Sequence, residues 1–161
     1  MIQYYKNDFI MDYERMLGKL LSKPELEGIK DIMRDGDDFS LFKHLIDVGV
    51  IRPCDWKHCD EADLFLFVDE RMSVIAFKGL SPLNITPSSA TELYDEIHRT
   101  GKRNFANFLL KFYNRILAST GLKLMAINRQ DDCYYLVLVQ ASEASKLKRI
   151  KSNFWIFYDL K

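Results

Sequence analysis

Cysteine, proline and glycine are all scarce, with three, four and seven in 161 residues. An odd count of cysteines, Cys54, Cys59 and Cys133, does not make a disulfide framework and points to a reducing compartment. The few glycines are scattered, so there is no Walker loop, no G-x-G-x-x-G and no G-x-S-x-G, and the three histidines form no H-E-x-x-H. Nucleotide binding through the familiar loops is thereby excluded. Long apolar runs are missing too. The longest, Leu64–Val68 and Cys133–Val139, are core-sized and fall far short of the ~20 residues a spanning helix needs. The first residues, Met1 to Asp8, show no basic region leading into an apolar run and do not read as a secretory signal. These absences predict a cytoplasmic protein without a membrane span.

What is present is ordinary globular composition, 48% apolar and 29% charged. The length suits one domain over residues 1–161, which can bury roughly 70% of its unfolded surface without disulfide or metal. Net charge is zero but unevenly spread along the chain. Residues 1–70 carry 16 acidic and 9 basic side chains, and residues 71–161 carry 7 and 14. If these sets separate in space, the protein has an acidic and a basic pole that steer charged partners; if they interleave, it has neither.

The apolar pattern divides the chain. From Phe9 to Leu21 apolar residues recur at helical spacing, and Pro24 suits the first turn of a second helix carrying Leu26, Ile29, Ile32 and Met33 up to Gly36. Phe39, Phe42, Leu45 and Ile46 give a third helix ended by Gly49. The N-terminal third is therefore helical. Val50–Arg52 reads as a short extended piece closed by Pro53. Residues 60–72 fit either a buried helix or a buried strand; the acidic start Asp60-Glu61-Ala62-Asp63 favours the helix. Ser73–Phe77 reads as a strand, and Ser81–Ser89 as the longest loop. A helix from Thr91 breaks at Gly101, and a second, Lys102–Thr120, carries the strongest stripe, with Leu109 and Phe112 expected to be nearly fully buried against the sheet. Leu122–Ile127 and Cys133–Val139 form a hairpin across the turn 128–132. Ser142 is placed to cap a short helix, and Asn153–Tyr158 forms a last strand. The fold class is α+β, a mainly antiparallel sheet of about four strands packed by helices.

Few constellations carry chemistry. Cys54, His58 and Cys59 contain zinc-ligand types, but the spacing is C-x3-H-C, and Cys133, His44 and His98 supply no second pair; neither metal nor another cofactor is expected. A nucleophilic Cys54 beside His58 would need a lowered pKa and an oxyanion hole, neither legible here. Asp35-Gly36-Asp37-Asp38 lacks the spacing and terminal glutamate of a calcium loop. The run Lys146, Lys148, Arg149 and Lys151 sits in a chain of pI near 6.8 without an RNA-binding motif, so nucleic acid is not the expected partner.

Asp55-Trp56-Lys57, followed by the acidic helix start, and Asp131–Val139, followed by Ala141 to Leu147, resemble a group of small uncharacterised bacterial α/β proteins. Some of these look like immunity proteins encoded beside toxins. The resemblance covers a third of the chain. It implies a bacterial, cytoplasmic protein with no assigned reaction; taken with the acidic first half and the missing catalytic motifs, the expectation is a non-catalytic binding protein that occludes a basic toxin such as a nuclease. The candidate contact residues are Asp35, Asp37, Asp38, Asp60, Glu61 and Asp63, which would mimic an anionic substrate. The alternative from another class is a small enzyme using carboxylates or the Cys54–His58 region.

Overall fold

The structure, a computed structural model, describes residues 13–55, 59–76, 95 and 105–160; the side chains of Glu61 and residues 105–108 are outside that description. The expected loop Ser81–Ser89, the helix from Thr91 to Gly101, and His58 and His98 lie outside the described residues.

Residues 13–17 are helical, and three short helices follow: α1 (Lys23–Gly28), α2 (Lys30–Asp35) and α3 (Asp38–Asp47). The expected single helix through Leu26 and Met33 is thus two, interrupted at Ile29. Ser22 caps α1 in a reciprocal box with Glu25, with proline in the first turn. Gly36 ends α2 where an added Cβ would lie 2.6 Å from the Ile32 carbonyl oxygen, so no larger residue fits unshifted. Asp37 caps α3 through the Ser40 amide.

Strand β1 (Arg52–Asp55) leads to α4 (Glu61–Ala76). The helical reading of residues 60–72 is correct from Glu61 onward, but the strand expected at Ser73–Phe77 is overturned, because Ser73–Ala76 continue α4. Buried Leu64, Phe67, Val68, Arg71 and Met72 keep a helical period, and that packing outweighs the strand preference of Val74 and Ile75. Helix α5 (Phe105–Leu117) passes through a 3-10 turn, Ala118–Thr120, to Gly121, whose φ of 75° suits only glycine comfortably. The hairpin β2 (Leu122–Ile127) and β3 (Cys133–Gln140) forms where the two strand-forming runs and the turn between them predict it. Its turn is held by the Asn128 and Asp131 side chains, which accept from the Gln130 and Cys133 amides. Helix α6 (Ala141–Lys148) takes Gln140, not Ser142, as its N-cap. The last strand is shorter than expected, β4 (Phe157–Asp159).

All strand pairs are antiparallel, in the order β1-β3-β2-β4. Pro53 is within β1 rather than beyond its end, opposite Tyr135. An edge strand tolerates it, because its missing N–H falls on the outer side.

Helices cover both sheet faces. Met125, Ile127, Val137 and Val139 pack with residues 13–21, α1–α3, α6 and Trp155. Leu122, Leu124, Ala126, Leu136 and Leu138 pack with α4 and α5. Burial on both faces explains why β2 and β3 read as continuous apolar runs rather than clean alternations. On α5 the buried residues are Leu109, Leu110, Tyr113 and Leu117, while Phe112 is only half-buried, a correction to the expected stripe. The Asn114 amide fixes the rotation: it donates to the Leu124 carbonyl oxygen (3.2 Å) and accepts from the Leu124 amide (2.7 Å).

Candidate functional site

The two acidic groups singled out in sequence are not brought together. Because β1 lies between α3 and α4, the chain passes from one side of the sheet to the other, and the groups end on opposite layers. Asp35 is exposed at the end of α2. Asp37 is occupied in capping, and its bonds from Ser40 hold its carboxyl below the usual range. Asp38 is half-buried and accepts from Trp155 Nε1 at 2.8 Å, tying the C-terminal segment to α3.

The second group stands at the start of α4. Asp60 Oδ1 accepts from the Asp63 amide at 2.9 Å, and the Asp60 carbonyl oxygen accepts from the Leu64 amide at 3.0 Å, which closes the first turn. Asp63 pairs with Arg52 on β1. Further along, Leu66 and Glu70 stand on the same outward face, one and two turns after Asp63. Leu66 is 53% exposed, and Phe39, beside the first acidic group, is 66% exposed. Among the described side chains of α4 every exposed charge is acidic, and the helix's one arginine, Arg71, is buried.

Arg71 was not singled out by the sequence. Its guanidinium donates to Glu25 Oε1 (2.5 Å), Glu25 Oε2 (3.3 Å) and the Leu20 carbonyl oxygen (2.8 Å), joining α4 to the N-terminal helices. Burial pushes the Glu25 carboxyl up, but bonds from Arg71 and Ser22 outweigh this and leave it below its ordinary value. The readable signal was Ser22-x-x-Glu25, a capping box whose glutamate also serves Arg71. Together with Lys19–Glu143, this pair shows that the charges of the two halves interleave in part.

Cys54 and Cys59 are joined as a disulfide, with Cα atoms 5.2 Å apart. The odd cysteine count argued against a disulfide framework and did not disclose this one short bridge: two cysteines five apart can pair and leave the third free. Cys133 is that third, and burial pushes its thiol up. In this state Cys54 carries no free thiol, so the nucleophile reading lacks its nucleophile. The disulfide lines a recess of about 130 Å³ with Arg52, Asp55, Asp60 and Asp63. A larger open cleft, about 830 Å³, runs between residues 14–24, the end of α4 and the start of α6, and is crossed by the Lys19–Glu143 pair. Among the described residues no three His, Cys, Asp or Glu side chains are placed to hold a metal ion, and no helix is long and apolar enough to cross a membrane.

Residues 8–160 match a family described as a domain of unknown function, DUF6630. The chain belongs to the DUF6630 family. No curated protein and no solved structure matches it. The DUF6630 region contains every labelled helix and strand, so the sheet and both helical layers are features of this family member's domain. In chemical terms the described surface of this DUF6630 chain offers carboxylates that are capped, paired or outward-facing.

Proposed function

We propose that this protein is a non-catalytic binding protein of the bacterial cytoplasm, an immunity-type inhibitor that occludes a basic toxin such as a nuclease. The observation that carries the reading is the outward face of α4. Asp63, Leu66 and Glu70 stand on one side of a helix whose described exposed charges are all acidic, with Asp60 at its head. Carboxylates around an exposed leucine combine long-range steering with an apolar contact to anchor the complex. A nuclease presents a positive groove for phosphates, and a row of carboxylates on a rigid helix is its electrostatic complement. The corner holding Asp35, Asp37 and Asp38 contributes less, because Asp38 is half-buried against Trp155 and the corner belongs to the other layer.

The test is binding to the basic proteins encoded by the genes flanking this one. Association should slow as ionic strength rises from about 50 to 500 mM, where screening shortens to a few ångströms. Changing Asp60, Glu61 and Asp63 together to Lys should weaken binding at least about tenfold without unfolding the domain. Equal affinity of wild type and triple variant at low salt removes α4 as the contact surface.

A further inference from the structure

We propose that Cys54 and Cys59 form a thiol–disulfide exchange site whose state sets the order of the first turn of α4. The inference does not depend on the identity of any binding partner. The bond ties the penultimate residue of edge strand β1 to the residue just before Asp60, the cap of α4. Strand and helix are joined at the same point by the Arg52–Asp63 ion pair. Both cysteines sit at the edge of the core cluster formed with α4 and also line the recess with Asp55 and Asp60, so the recess is the route by which a reductant would reach them. Their residues are 4% and 9% exposed, which favours a small one.

Loss of the bond leaves the rest of the fold in place. Strand β1 keeps its four-residue register with β3, and α4 keeps Leu64, Phe67, Val68 and Met72 in the core. What loosens is the joint between them, and with it the start of the helix. The substrate class is a small dithiol. One of its thiolates attacks a cysteine sulfur, the Cys54–Cys59 bond breaks, and the departing sulfur takes a proton. The second thiol of the reagent then resolves the mixed disulfide. Two electrons pass to the protein, both cysteines end as thiols, and the reagent ends as a cyclic disulfide.

Dithiothreitol is the probe, on the full chain with Cys133→Ser to prevent shuffling. Thiols are counted by alkylation and mass spectrometry, and backbone order by amide hydrogen exchange. Native protein should take up no label at Cys54 or Cys59 before reduction and one at each after it, with an unchanged circular dichroism spectrum near 222 nm. The Asp63 and Leu64 amides, which bond to Asp60, should then exchange about tenfold faster or more, while those of β2 and β3 stay protected. Reoxidation should restore the protection. A Cys54→Ser/Cys59→Ser variant should match the reduced protein and no longer respond to the reagent. Three results would each overturn the proposal: both cysteines labelled before reduction, a bond reduced only when the whole domain unfolds, or equal exchange at Asp63 and Leu64 in both states.

Discussion

The Glu25–Arg71 pair offers the sharpest test of how the two helical regions are held. Arg71 is 4% exposed overall, and the side chain of Glu25 is 27% exposed. Replacing Glu25 by Gln leaves a buried guanidinium facing a neutral amide. Breaking a fully buried pair costs about 3–5 kcal/mol; water reaching Glu25 reduces this, and about 2–3 kcal/mol is expected. Arg71→Met keeps the stem but removes both bonds to Glu25 and the one to the Leu20 carbonyl oxygen, so about 3 kcal/mol is expected. For a domain of this length each kcal/mol moves the Tm by roughly 2–4 °C, so Glu25→Gln should melt about 4–12 °C lower and Arg71→Met about 6–12 °C lower. The double variant should be milder than the sum by about 1–2 kcal/mol, since a shared interaction can be lost only once. The pair also links stability to pH. The folded carboxyl of Glu25 lies below its ordinary value, so its contribution is complete above the unfolded pKa of about 4.3 and is lost as pH falls through the folded value. Thermal melts and urea titrations from pH 7 to pH 3 should show the wild type losing its advantage over Glu25→Gln across that acid range. Single variants melting within two degrees of wild type, or an advantage that does not narrow with acid, would refute the reasoning.

Three further outcomes follow from the packing. Tyr113→Ala should cost about 3–5 kcal/mol by urea unfolding, and Phe112→Ala distinctly less, because only Tyr113 is fully enclosed. Asn114→Ala should cost about 2 kcal/mol, since it removes both bonds to the Leu124 backbone, and the Leu124 amide should lose protection in hydrogen exchange. Serine at both Cys54 and Cys59 should lower stability by about 2 kcal/mol under oxidising conditions, the entropy of a loop of about six residues, and by little in reductant.

Local rules carried the sequence reading where neighbours in the chain decide the structure. The β2–β3 hairpin was legible because Asn128 and Asp131 form the turn and their flanks are strand-forming. The Asp60 cap and the α3 stop at Gly49 follow from equally local chemistry. Misreadings occur where distant contacts decide. Val74 and Ile75 prefer strand, yet α4 carries them onward because Arg71 and Met72 are already anchored. The α5 stripe is too broad to say which apolar residues face the sheet, and it is Asn114, a polar side chain, that chooses Tyr113 over Phe112. The acidic residues were visible as charges, but not their division between two layers, since that depends on where β1 joins the sheet. Arg71 follows Asp69 and Glu70 in the chain, and nothing in that local run of charges signals that it is buried.

Pro53 places a boundary on how this molecule meets others. The outer rim of β1 is four residues long, and one of them has no N–H to offer. The opposite rim, β4, is three residues long. Among the described residues a guest strand would find few backbone groups at either margin of this four-stranded sheet to zip onto, which disfavours extension by a neighbour's chain. The side chains of the helical layers, by contrast, lie outside the backbone ladder, so substitutions there alter the described surface without disturbing the framework beneath.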